Sequence, residues 1–237
     1  MTRKLICFFL LCAILTFSGC RIKKVDLGQD QGPVTVVVLG SSTAAGTGPR
    51  DVANSWVNRY LAYAESLNAD NRVINLAKGG YTTYHLMPRD HIPSEGRPTV
   101  DPCRCITMAL HLNPAAIVVN LPSNDAAYGY SVKEQLANYD SLLALAARRK
   151  VPVWITTTQP RNLTVEGRAN LTAMRDSTWA RFGERAIDFW SGLAMEDGSI
   201  DPTFDSGDGV HLNDRAHRIL FQRVVDAGIL TAGSGRP

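Results

Sequence analysis

Short apolar runs rich in β-branched residues alternate along the chain with longer stretches in which apolar residues recur every three or four positions. The runs 34–39, 72–76, 115–121, 151–158 and 186–190 predict five strands. Helical spacing is clearest over 53–67, 132–149 and 212–227, and is less regular over 103–112 and 165–182. Strands that alternate with helices predict a parallel sheet covered on both faces, an α/β chain built as a three-layer αβα sandwich around a doubly wound sheet of about five strands. Residues 88–102 contain four prolines and Gly96 and read as a surface loop.

The first twenty residues stand outside this pattern. Arg3 and Lys4 precede an apolar run from Leu5 to Phe17 that ends in Ser18-Gly19-Cys20, the layout of an export signal. The run is short for a membrane span, which needs about 20 apolar residues. Small residues before a cysteine resemble the bacterial lipoprotein cleavage box, which would make Cys20 the lipidated N-terminus. The expected protein is then exported and membrane-anchored, in the periplasm or on the cell surface. Phe17 stands where that box has an aliphatic residue, so a plain secretory signal and an uncleaved anchor stay open. Residues 21–33 are polar, with Gly28, Gly32 and Pro33, and predict a flexible tether. A single domain is expected over 34–237.

Composition narrows the function classes. Of 237 residues 45% are hydrophobic and 20% charged, an ordinary globular balance. Removing Arg3 and Lys4 with the signal leaves 23 basic against 22 acidic side chains, which gives no electrostatic footprint for nucleic acid. Of five cysteines only Cys103 and Cys105 lie in the body, too close for an unstrained bridge and without further ligands for zinc. No metal or organic cofactor is expected. Gly40 to Gly48 matches neither the dinucleotide fingerprint nor a phosphate loop, so a nucleotide binder is disfavoured.

Candidate chemistry gathers just after the strands, where open α/β sheets bind ligands. In order come Gly40-Ser41-Ser42-Thr43, Lys78-Gly79-Gly80, Pro122-Ser123-Asn124-Asp125 and Asp208-Gly209-Val210-His211. A serine needs a base to take its proton and an acid to orient that base, and these segments hold all three. In this order and spacing they resemble the blocks of the SGNH/GDSL hydrolase family from Val34 onward. The resemblance implies a flavodoxin-like fold and a serine esterase. It implies Ser42 as nucleophile, His211 as base and Asp208 as its orienting acid, with the Ser42 and Gly80 amides and the Asn124 carboxamide as oxyanion donors. Ser41 in place of the family's aspartate and Pro122-Ser123 in place of Gly-x are departures that remove no reacting atom.

Other polar residues have competing readings. Ser41 and Ser123 are rival nucleophiles, and Asp125 reads as a loop carboxylate rather than a second acid. Tyr81, His85 and Arg161 are candidate substrate contacts, against aromatic packing, a structural histidine and an exposed loop arginine. Tyr81, Tyr84, Tyr128 and Tyr130 read as ordinary packing or as a sugar-stacking platform. His91, His111 and His217 read as structural or solvent-facing. The expected function is hydrolysis of short acyl esters, acetyl esters of carbohydrates foremost, so the partners are small-molecule or glycan esters and not nucleic acid. A lysophospholipase or thioesterase with the same site, and a non-catalytic carbohydrate-binding surface protein, are the alternatives.

Overall fold

Alternation within each strand decides which helix covers which face of the sheet. The structure, a computed structural model, describes residues 32–121 and 123–232. The export segment 1–20 with Cys20, and the tether up to residue 31, lie outside the described residues. Strands β1 (Thr35–Gly40), β2 (Arg72–Asn75), β3 (Ala116–Asn120), β4 (Val153–Thr156) and β5 (Ala186–Ile187) pair in parallel in the order β2-β1-β3-β4-β5. The helices are α1 (Ser42–Ala45), α2 (Trp56–Leu67), α3 (Ile106–His111), α4 (Asn124–Ala127), α5 (Val132–Arg148), α6 (Val165–Phe182), α7 (Asp214–Asp226) and α8 (Ile229–Ala232).

Successive strand side chains point to opposite faces. Val36 and Val38 therefore pack with Trp56 and Tyr60 of α2 and with Leu220 and Val224 of α7. Val37 and Leu39 pack on the other side with Ile106 of α3, Leu142 of α5 and Met174 of α6. A side chain of this size contributes about 1.5–3 kcal/mol when buried fully, so both layers resist truncation. Parallel strands cannot be joined by tight turns, and each crossover helix returns the chain so that every strand ends on the same rim.

Local chemistry moves several element ends. The helix expected over 53–67 starts at Trp56, because the Ser55 hydroxyl caps it by accepting from Asn58 N–H at 3.3 Å. Residues 52–54 form a separate single turn capped by Asp51. The last long helix starts at Asp214, since the Asn213 side chain accepts from the N–H groups of Arg215 and Ala216. The strand expected over 186–190 stops at Ile187, where the Asp188 carboxylate turns the chain by accepting from Trp190 and Ser191 N–H. The run 151–158 forms a strand only over Val153–Thr156, with Thr157 N–H making a last backbone bond to Ile187 C=O. The Thr157 hydroxyl oxygen accepts from Phe189 N–H, and the Thr158 O–H donates to Leu171 C=O.

Candidate active site

Backbone pairing beyond the strands brings the four polar segments to one rim. Ser41 N–H donates to Asn120 C=O at 3.0 Å, extending β1 alongside β3. Lys78 N–H donates to Gly40 C=O at 3.1 Å, which lays the Gly79-Gly80 turn beside α1. A Cβ built on Gly79 would come within 3.9 Å of Ser42 Cβ, so this turn lies against the serine. Gly80 holds φ +83°, a left-handed conformation that side chains resist, and a Cβ there would meet open space.

Ser42, Asp208 and His211 come together. His211 Nε2 lies 2.9 Å from Ser42 Oγ across 169 residues of sequence, and His211 Nδ1 lies 2.6 Å from Asp208 Oδ2. An ionised carboxylate only accepts, so Nδ1 carries the proton and Nε2 presents its lone pair to the serine. The other Asp208 oxygen accepts from the N–H groups of Val210 and His211 at 2.9 and 2.8 Å. Burial pushes this carboxyl upward, but the bond to the His211 ring and the two backbone N–H groups outweigh it and hold Asp208 well below the usual carboxylate range.

The Ser42 N–H begins α1 and has no helical acceptor, and the Gly80 N–H makes no protein hydrogen bond among the described residues. Asn124 opens α4 and sends its Nδ2 to Ser41 Oγ at 2.7 Å and to Tyr81 C=O at 2.9 Å. Both of its amide protons thus have protein acceptors. Arg161 Nη1 donates to Asn124 Oδ1 at 3.2 Å and reaches Ser123 Oγ at 3.4 Å. This arginine is half-buried rather than exposed, and burial pushes its guanidinium below its usual value. Ser41 is fully buried and engaged by Asn124, and Ser123 is buried beside Arg161, so neither sits where Ser42 does against the imidazole.

The remaining candidates have structural partners. Tyr81 is buried and donates its hydroxyl to Asp101. His85 stacks on it with ring centroids 4.4 Å apart, and its Nδ1 accepts from Thr82 N–H at 3.0 Å. Tyr84 and Tyr130 are buried and meet edge to face, with the Arg97 guanidinium 4.1 Å from the Tyr130 ring centre. Tyr128 alone of the four tyrosines is exposed. Asp125 corrects the loop-carboxylate reading: it is buried in α4 and accepts from Thr83 N–H and hydroxyl. His217 is buried too, accepting from Trp56 N–H, whereas His111 ends α3 in solvent. Cys103 and Cys105 are free thiols.

One residue the sequence did not reveal is Gln159. Its Oε1 accepts from Thr43 Oγ1 at 2.8 Å and its Nε2 donates to Val210 C=O at 3.0 Å, so one buried amide joins the neighbour of Ser42 to the neighbour of His211. The only signal was its position directly after a strand.

The model of the GDSL-like lipase/acylhydrolase family matches residues 38–219. Curated protein sequences give no match. Among solved structures, a protein of the G-D-S-L family from Desulfitobacterium hafniense superposes with a TM-score of 0.63 at 15% identity, covering 82% of this chain and 99% of its own. The psychrotrophic esterase EstA from Pseudoalteromonas gives 0.59 at 16% identity, covering 82% and 96%. An acetyl-xylooligosaccharide esterase from Geobacillus gives 0.61 at 13% identity, covering 84% and 96%. At such identities these structures speak for the fold, a five-stranded SGNH hydrolase sheet. The family match spans most of the sheet and all four rim segments, and the chain belongs to the GDSL-like lipase/acylhydrolase family of carboxylic ester hydrolases.

Proposed function

We propose that the protein is a serine esterase that cleaves short acyl esters, with acetyl esters of carbohydrates as the leading substrates, through an acyl-enzyme. The observation that carries this reading is the continuous hydrogen-bonded chain Ser42–His211–Asp208, at 2.9 and 2.6 Å. His211 Nε2 takes the Ser42 proton as Oγ attacks the ester carbonyl, and the carbonyl oxygen becomes an alkoxide. The N–H groups of Ser42 and Gly80, without a protein acceptor among the described residues, are the first donors to that charge, and Asn124 is the third once the alkoxide takes the Nδ2 proton that Ser41 Oγ otherwise accepts. The imidazolium, stabilised by Asp208, returns the proton to the leaving alcohol as the C–O bond breaks. Water then attacks the acyl-serine, giving one proton to His211 and releasing the acid as Oγ recovers it.

The short-acyl and carbohydrate parts of the proposal draw on the Geobacillus neighbour, which acts on acetylated xylo-oligosaccharides. They also draw on Tyr128, which is exposed at the end of α4. Export and lipid attachment at Cys20 belong to the same proposal. Hydrolysis of p-nitrophenyl esters from acetate to palmitate is expected to favour acetate. Ser42→Ala and His211→Ala should each lose about 10⁴-fold or more in kcat, the scale on which a triad acts as a unit. Wild-type rates in either variant would refute the assignment, and a preference for palmitate would favour a lysophospholipase or thioesterase.

A further inference from the structure

Asn124 can donate to an oxyanion only while its amino group, not its carbonyl, faces the nucleophile. The two ends of a carboxamide are nearly the same size, so neighbours decide which end points where. Here one neighbour can only donate and the other can only accept. Arg161 Nη1 meets Oδ1 at 3.2 Å, and the Tyr81 carbonyl meets Nδ2 at 2.9 Å. The second Nδ2 proton is thereby directed to Ser41 Oγ at 2.7 Å, on the residue next to the nucleophile. A reversed amide would set its carbonyl against the Tyr81 carbonyl and its amino group against a cation, and would turn a negative pole toward the forming alkoxide.

Arg161 also brings charge. None of the ion pairs among the described residues includes it, and its Nε is buried without a protein partner. The carboxylate acting on it through space is Asp208, which is already bound to His211. When Ser42 attacks, the imidazolium offsets Asp208 and a new negative charge appears beside Asn124. A guanidinium bonded to the far end of that amide polarises the N–H bonds in the direction the alkoxide requires.

We propose that Arg161 is a positioning residue that fixes the Asn124 carboxamide with its amino group toward Ser42 and strengthens it as a donor to the developing oxyanion. The inference rests on the ester-hydrolysis reading above, and assigns Arg161 a part in the chemical step rather than in holding substrate. Arg161→Met should lower kcat for p-nitrophenyl acetate by roughly 10²-fold, the scale of losing one preorganised donor, with KM within about threefold of wild type. Arg161→Lys, which keeps one charged donor, should fall between them. Millimolar guanidinium should raise kcat of Arg161→Met and leave Asn124→Ala unaffected. Arg161→Met/Asn124→Ala should be no slower than Asn124→Ala, because the arginine acts through the asparagine. Additive losses, a loss confined to KM, or Arg161→Lys matching Arg161→Met would overturn the inference while leaving the esterase intact. A wild-type protein that hydrolyses no ester would overturn both. Thermal melting of Arg161→Lys separates a kinetic loss from a folding defect.

Discussion

Two buried ionisable side chains beside the site, Asp125 on α4 and His217 on α7, titrate in opposite senses. Asp125, next to Asn124, accepts from Thr83 N–H at 3.1 Å and Thr83 hydroxyl at 2.6 Å, fastening the segment after Gly80 to α4. Burial raises its pKa to about 6 against the pull of those bonds. His217 accepts from Trp56 N–H at 3.1 Å, and burial lowers its pKa to about 4. Between pH 4 and 6 native Asp125 holds a proton that the unfolded chain has released, so its contribution to stability grows as pH falls. His217 does the reverse: between 6.5 and 4 the unfolded chain binds a proton that the native ring refuses, and stability is lost on acidification. Each shift is worth roughly 3 kcal/mol at about 1.4 kcal/mol per pKa unit, so the two largely cancel. In Asp125→Asn the His217 effect stands alone. The melting temperature of that variant should drop between pH 6.5 and 4 by roughly 6–10 °C more than wild type. Parallel curves for the two proteins would contradict the assignment. Ser42, Asp208 and His211 were readable as candidates because a serine after the first strand and an Asp-x-x-His before the last helix match one family pattern, and the structure brings them within hydrogen-bond reach. Asp125 and His217 were not, because their importance comes from burial by elements distant in sequence.

At the scale of elements, what sets the approach of serine and imidazole is how α1 and the 208–211 turn are tied to the end of β4. Gln159 makes both ties, and Thr43 is fully buried beneath Ser42. Thr43→Val keeps the shape and removes the hydroxyl that donates to Gln159, whereas Thr43→Ser keeps the hydroxyl. Since small misplacements of a reacting group are costly, Thr43→Val should lose roughly tenfold in kcat with KM nearly unchanged, and Thr43→Ser should stay near wild type. Equal activity in both variants would show that the tie does not set the geometry. The strands and long helices were readable from periodicity, as α6 shows by spanning the expected 165–182. The one-turn helices α1 and α4, which carry Ser42 and Asn124, were not, because four residues are too few to display a period. The Gln159–Thr43 tie spans 116 residues and leaves no local trace.

For the whole molecule, the strand order β2-β1-β3-β4-β5 places β3 at the centre between β1 and β4; the segments after β1, β2, β3 and β4 and the loop before α7 bring the candidate site residues to one edge. That much followed from alternating strands and helices. Which serine would meet the imidazole followed only from the family resemblance, which implied Ser42, because Ser41 and Ser123 carry the same hydroxyl and only their burial and partners tell them apart. The central claim is that Ser42 is the hydroxyl activated by His211. A fluorophosphonate probe followed by peptide mass mapping tests it most directly, since the probe reacts with an activated serine and records which one. The account predicts a single adduct on Ser42 that disappears in His211→Ala. An adduct on Ser41 or Ser123, or undiminished labelling of Ser42 without the imidazole, would contradict it.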